Sequence, residues 1–241
     1  MSTYYYKILE WGGIPCMGGT GVWHLPTQNI DGSWTPGEPM PTIDPVQEYG
    51  PGYHVCTEDH LLDWLLAADA QETDIEVWRV DVSGASFHGK DGNHVWADAQ
   101  LICPALTDRD IRLFACDCAE HILHLYEQEH LTDMRPRTAI DVARRFAARD
   151  ATTDELCAAR AASAAIGACQ QPDARSVAMA TVRATDAGWS ARAVVHHALD
   201  AVREIIDWDS FPYVFAWDAE KAWQAEKLAE YLALSTPIIR M

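Results

Sequence analysis

The fold is decided by the stretch Gly52-Tyr53-His54-Val55-Cys56-Thr57-Glu58-Asp59-His60-Leu61-Leu62-Asp63-Trp64-Leu65. Its first part alternates in the manner of a short strand. Thr57 then has the character of a helix N-cap, and the two carboxylates that follow suit the positive end of a helix. The stretch therefore predicts a strand that runs directly into a helix, and we expect the first part of the chain to be built on this junction.

Further strands are predicted on both sides of this junction, at Tyr4–Trp11, Glu76–Val82 and Val95–Ile102. Residues 27–51 are rich in proline and predict a long loop. After Pro104 the apolar residues recur with a period near 3.6, which is typical of helices. Six helices are predicted, at about 108–129, 136–148, 153–168, 173–185, 189–207 and 218–234.

These elements predict an α+β protein of two domains. Residues 1–104 form an acidic, β-rich domain with one helix, and it packs on an alanine-rich helical domain of residues 105–241. Asp133–Ala139 and Asp173–Ala178 open two of the predicted helices forty residues apart with similar sequences, which indicates a duplicated helix pair.

Negative charge is concentrated in the first part of the chain. Residues 1–105 hold fifteen Asp and Glu against three Lys and Arg, a net charge of −12 within a total of −18. Such a surface repels phosphate backbones, so direct binding to nucleic acid is disfavoured. It favours either simple solubility or attraction to a protein partner with a basic surface.

The chain shows no secretory signal and no apolar run long enough to span a bilayer, so no membrane association is expected. Its seven cysteines are odd in number and lie mostly inside apolar segments, at positions 16, 56, 103, 116, 118, 157 and 169. Free buried thiols in a reducing compartment fit this pattern better than a disulfide framework. We therefore predict a cytoplasmic protein.

The second domain resembles a known family in three blocks that occur in a fixed order. These are Arg112–Glu120, Asp133–Ala147 and Ala151–Arg160. They resemble the putative immunity protein family found in bacteria and phages, which is helical and linked by genomic context to polymorphic toxins. The resemblance covers about residues 108–200 and implies a protein that acts by binding a partner rather than by turnover.

The first domain resembles a separate, uncharacterised domain family of phages and actinobacteria. The resemblance is carried by Gly52–Cys56, by the strand Glu76–Val82 with Gly84, and by the strand Val95–Ile102. The leading hypothesis is thus an immunity-like or phage-encoded host-interaction protein that binds stoichiometrically through acidic surfaces and needs no cofactor.

An alternative hypothesis is an enzyme that uses NAD. The order of a β-rich start, Tyr53-x-x-x-Thr57 leading into a helix, and a strand ending in glycine and an acidic loop is similar to small ADP-ribosyltransferases, including rifampicin-modifying ones. The resemblance implies that Tyr53 or His54 stacks on nicotinamide and that Asp81 or Asp91 orients a ribose. The first strand lacks the His-Gly-Thr/Ser motif that grips NAD in those enzymes.

Three sets of residues remain as candidates for chemistry. The ligand-binding candidates are Tyr53, His54, Thr57, Arg79 and Trp96, and the catalytic candidates of the enzyme hypothesis are Tyr53, His54 and Asp81. A metal candidate is formed by Asp117, His121 and His124, which share one face of a helix and have the residue types that zinc or iron accepts. The same face is more typical of a solvated helix surface, because apolar residues occupy the opposite side of the helix.

Cys56 is a candidate nucleophile, because His54 lies two residues away on the same strand face and a histidine can promote a thiolate. Same-face neighbours in a strand are about 7 Å apart, which is too far for a direct hydrogen bond. The alternative is a structural cysteine in the core.

Overall fold

The structure of the chain is a computed structural model that describes residues 4–17, 19–68, 75–90, 92–128, 130–165, 179–180, 196–200, 212–235 and 239. It confirms the α+β class, with a strand-rich region that holds one helix, followed by a helical region. The chain divides into two compact units. The first unit is Met1–Thr107 with Leu232–Met241, and the second unit is Asp108–Tyr231.

The first unit is built on a five-stranded antiparallel sheet with the order β2-β1-β6-β7-β5. Of its long central strands, β6 is rich in β-branched and aromatic residues, as expected for a strand, and β7 alternates buried with half-buried residues. A separate two-stranded sheet pairs β3 with β4. The strands are β1 Tyr5–Glu10, β2 Ile14–Pro15, β3 Thr27–Gln28, β4 Trp34–Thr35, β5 Tyr53–Val55, β6 Ile75–His88 and β7 His94–Pro104.

The junction between strand and helix lies where the sequence predicts it. Strand β5 is followed by helix α1, Glu58–Ala67, with Thr57 at the N-cap position. Thr57 does not cap the helix with its side chain, and its hydroxyl lies 3.3 Å from the His60 ring instead. The buried side chains of α1 are Leu61, Leu62 and Leu65.

The sheet curls round so that its edge strand meets β1 again. Beyond β5, Cys56 and Tyr6 exchange two backbone hydrogen bonds of 2.8 and 3.0 Å. At the start of β5, Gly52 lets the chain pass close to β7, because it has a φ of 137° and a Cβ there would lie 2.3 Å from the Val95 side chain. The curl places both faces of β1 in the interior, and four of its six residues are buried.

The proline-rich loop is fastened to the sheet rather than left as a loose connection. The backbone N–H groups of Gly37, Met40 and Ile43 donate to the carbonyls of Leu101, Ala99 and Ala97, at 2.9–3.0 Å. These bonds satisfy the strand groups of β7 that β5 is too short to pair, and they cover an otherwise open edge.

The second unit is helical in its described residues. Helix α2 is Asp108–Glu127, α3 is Arg135–Ala147, α4 is Thr153–Ala164 and α5 is Pro212–Leu234. Thr152 and Glu155 form a complete capping box at the start of α4. The last helix begins six residues before its predicted start, with Pro212 in the first position that proline favours.

Two predicted helices, 173–185 and 189–207, lie mostly outside the described residues. Their described parts, 179–180 and 196–200, are helical. The second opening of the predicted helix repeat, Asp173–Ala178, also lies outside the described residues, so the repeat stays a prediction. None of the helices in the described residues combines the length and the apolar character needed to cross a membrane.

Candidate functional site

A cavity of about 830 Å³ lies within the first unit, between β5 and the fastened loop. Its wall combines aromatic and aliphatic side chains with polar groups. A volume of this size suits a small-molecule ligand. The lining side chains that matter for chemistry are Lys7, Trp23, Tyr49, Tyr53, His54, Trp64 and Asn93.

Lys7 is the cavity residue of most chemical interest among those that the sequence did not predict, which also include Trp23, Trp64 and Asn93. It lies in the middle of β1 and is only 8% exposed. Its Nζ donates to the His54 carbonyl at 3.0 Å and lies 5.5 Å from the centre of the Trp23 ring. Burial lowers the pKa of Lys7 to about 8, because the charged ammonium loses its water. A single lysine inside an aromatic and aliphatic strand was the available signal.

His54 is held in one orientation at the cavity wall. Its Nδ1 lies 3.0 Å from Asn93 Oδ1 and its Nε2 lies 3.0 Å from the Gly50 carbonyl. Asn93 is itself fixed, because its amide nitrogen donates to the Glu48 carbonyl at 3.0 Å. The imidazole therefore faces an oxygen on each side, and it donates to both when it is protonated.

Tyr53 also lies at the cavity wall, and it is 8% exposed. Its ring meets Trp23 edge to face, with 5.2 Å between ring centres. Its hydroxyl donates to the Pro41 carbonyl at 2.5 Å, and burial raises the pKa of this phenol. The structure thus brings Tyr53 and His54 to one cavity, in an arrangement that is rigid and largely aromatic.

The other predicted site residues are not at this cavity. Asp81 is exposed on β6, so the acid expected to orient a ribose does not join Tyr53 and His54. Arg79 is buried and donates to the carbonyls of Leu232 and Ser235. Trp96 packs its ring edge to face against Tyr5, 5.6 Å away. Thr57 contacts His60, as described above, and Asp91 lies outside the described residues.

Cys56 has the environment of a structural cysteine. Its thiol is fully buried and donates to the Tyr6 carbonyl at 3.8 Å. Burial raises the pKa of Cys56 to about 12, which disfavours the thiolate that a nucleophile requires. The ring nitrogens of His54 face Asn93 and Gly50, as described above.

The three side chains of the metal candidate have separate partners in the second unit. Asp117 accepts from Arg144 at 2.7 Å and from the Tyr231 hydroxyl at 2.8 Å. His121 lies 2.7 Å from buried Glu220, and its ring stacks on Trp223 at 3.8 Å between centres. His124 bonds the His121 carbonyl. Within the part of the chain that the structure describes, no three His, Cys, Asp or Glu side chains are grouped to hold a metal ion.

Helices α2 and α3 are joined by a network of charge pairs. Arg144 contacts Asp117 and Glu120 at 2.7 and 2.6 Å. About two turns along, Arg137 makes a two-point contact with Glu127 at 2.8 Å. Such paired geometry fixes the register of two helices, so the polar face of α2 is occupied by α3 rather than left to solvent alone.

These features define an α+β protein of two units. The first unit is a curled sheet that contains the cavity, and the second unit is helical, with charge pairs between α2 and α3. The helical part matches the family model described as Imm-5 like putative immunity protein over residues 103–231, which is more than half of the chain. The chain therefore belongs to that family. A search of the curated proteins and a search of the solved structures gave no match. The resemblance of the first hundred residues to a second family stays a prediction.

Proposed function

We propose that the chain is a cytoplasmic immunity-type protein that binds a protein partner stoichiometrically, and that the acidic first unit complements a basic surface on that partner. Membership of an immunity protein family supports the binding role. The described cysteines support a reducing compartment, because no disulfide involves Cys16, Cys56, Cys103, Cys116, Cys118 or Cys157.

The burial of cations in the first unit carries the proposal. Residues 1–105 contain three cationic side chains, and two of them, Lys7 and Arg79, are only 8% exposed. Lys90 is exposed. The acidic side chains are distributed in the opposite way, since none of those in the described part of residues 1–105 is buried. The exposed ones are Asp31, Glu38, Asp44, Glu58, Asp59, Asp63 and Asp81.

The surface of the first unit is therefore more negative than its composition alone indicates. A field of one sign accelerates encounter with an oppositely charged protein and rejects partners of the same sign. Glu58 and Asp59 stand together in the first turn of α1, exposed, where a partner's Lys or Arg can reach them. We take this turn as the part of the acidic surface to test.

The test begins with capture of the partner at low salt from a lysate of the organism that carries the gene. The captured protein is then purified and titrated into the chain by calorimetry. We expect saturation at one partner per chain, and affinity about tenfold weaker when salt is raised to screen the charges. The double variant Glu58→Gln, Asp59→Asn is expected to bind several-fold more weakly than the wild type.

The matched control is Asp108→Asn, Asp154→Asn. It removes the same charge from exposed first-turn positions of α2 and α4 in the second unit. Its affinity should match the wild type. Equal weakening by both double variants would contradict a role for the surface of the first unit, and failure to saturate at a fixed ratio would contradict stoichiometric binding itself.

A further inference from the structure

Lys7 is a buried cation that has no acidic partner in the described part of the chain. Its one hydrogen bond goes to a backbone carbonyl, that of His54, and no described carboxylate lies within ion-pairing distance of its Nζ. A carbonyl offers only a partial charge. A buried ammonium without a counter-charge is costly, and buried charges in proteins are usually paired with an opposite charge.

The position of Lys7 indicates where that anion would come from. The ammonium has three N–H groups. One is used by the His54 carbonyl, and Trp23 covers another side of the group with the face of its ring. Lys7 also lines the cavity, which leaves donor capacity directed toward the cavity space. The neighbouring His54 ring is held between Asn93 and Gly50, so Lys7 is the cation of this wall that is available to a ligand.

The aromatic side chains of the cavity wall indicate the shape and polarity of the rest of the ligand. Trp23 and Tyr53 are buried and packed edge to face, so this part of the wall is preformed. Trp64 of α1 contributes a further aromatic side chain, and Tyr49, which is 78% exposed, stands at the rim. Walls of this kind bind flat apolar groups, and a rigid wall spares the ligand the cost of ordering it.

We propose that this cavity is a binding site for a small organic carboxylate with an aromatic body, in which Lys7 Nζ pairs with the carboxylate and Trp23 and Tyr53 hold the ring. A carboxylate supplies the missing counter-charge and two acceptor oxygens at the point where Lys7, a buried cation of the first unit, lines the cavity. The site goes beyond the proposed partner binding and requires no partner protein.

The test uses three sodium salts of increasing size, benzoate, phenylacetate and indole-3-acetate, each against its neutral primary amide. The amide has nearly the same shape but no charge. Binding is followed on the full-length ¹⁵N-labelled protein through the indole N–H signals of Trp23 and Trp64. We expect at least one carboxylate to shift these signals saturably, and its amide to bind roughly tenfold or more weakly.

The decisive variant is Lys7→Met, for which we expect the preference for carboxylate over amide to disappear. Lys7→Gln removes the charge while keeping a donor for the His54 carbonyl, and it serves if the methionine variant does not fold. Lys90→Met removes an exposed lysine of the same unit and should bind like the wild type. The proposal is overturned if no carboxylate shifts the two indole signals, or if the preference survives at Lys7→Met or is lost at Lys90→Met.

Discussion

In the first unit, Lys7 and Arg79 are buried on neighbouring strands and donate to backbone carbonyls. In the second unit, Arg137 and Arg144 remain 40% and 30% exposed and pair with carboxylates. The carboxylate pairs balance charge with charge near water, and each contributes modestly. In the interior, the full charge of each carbonyl-bound cation is balanced only by the partial charges of carbonyl groups. Because this burial is costly, we infer that each of these cations has a specific role.

Arg79 and Lys7 have different roles in the first unit. Arg79 Nη2 holds the carbonyls of Leu232 and Ser235, at 3.0 and 2.9 Å, and so joins the C-terminal segment to β6. Leu232 lies in the last turn of α5, where carbonyls lack a donor within the helix. Lys7 instead donates to the carbonyl of His54 in β5, the strand beside the cavity, and its side chain also lines that cavity. The difference teaches that Arg79 is a structural cation, whereas Lys7 is free to serve a ligand.

The largest expected effect is on Arg79. Arg79→Ala removes a charged donor from two carbonyls and leaves space in the interior, so we expect the free energy of unfolding to fall by about 4 kcal/mol. Urea unfolding measures this. Lys90→Ala, at an exposed position of the same unit, should change it by less than about 0.5 kcal/mol. A loss at Arg79 no greater than that at Lys90 would remove the structural role assigned to it.

The next effect concerns the pH dependence of Lys7. Its folded pKa, about 8, lies below the ordinary value of 10.5. Between these two pH values the unfolded chain binds more protons than the folded chain, so this group makes stability rise with pH in that window. Below it the cost of burying the charge is fully present.

We therefore expect Lys7→Met to be more stable than the wild type at pH 7, and its advantage to shrink by about 3 kcal/mol as the pH passes from 8 to 10.5. Urea unfolding of both proteins across this range gives the difference. Other titrating groups, such as Tyr6 and Cys56, are present in both proteins and largely cancel. A difference that does not vary with pH would show that Lys7 is not desolvated, and would weaken its contrast with the paired arginines.

The sequence predicts the backbone of the first unit well, because its signals are local. Strand alternation gives β1, β5, β6 and β7, and the change of character at Thr57 gives the start of α1. The loop of residues 27–51 is predicted as structureless, yet it is ordered by hydrogen bonds to β7, some sixty residues away in the sequence. No local pattern reports a contact between such distant segments.

The candidate site also depends on contacts between distant segments that the local sequence does not predict. Tyr53 and His54 are reactive types next to a strand–helix junction, and the structure places both at the cavity. The burial of Lys7 is not predictable from the local sequence. It depends on the bridge between Tyr6 and Cys56, which are fifty residues apart, and on the Trp23 ring that covers the ammonium. The resemblance to small ADP-ribosyltransferases places Asp81 at the site, but its position beyond the buried part of β6 leaves it exposed.

The smallest expected effect is on the charge network of the second unit. The dependence of this effect on salt distinguishes cations bound to carboxylates from cations bound to carbonyls. Arg144→Ala removes contacts of 2.7 and 2.6 Å to Asp117 and Glu120. Both carboxylates keep other partners, since Tyr231 still donates to Asp117 and Arg137 lies 3.6 Å from Glu120. We expect a loss of about 1 kcal/mol at low salt.

That loss should fall by half or more between about 0.05 M and about 1 M sodium chloride, because ions screen pairs that are partly exposed. The loss at Arg79→Ala should stay nearly constant, since its guanidinium is buried against carbonyls that carry no net charge. Urea is the denaturant of choice, because guanidinium chloride is itself a salt. If the stability losses of both variants depend on salt alike, carbonyl-bound and carboxylate-bound cations do not differ in this protein. That result would contradict the special role inferred for Lys7 as a buried cation without a counter-charge.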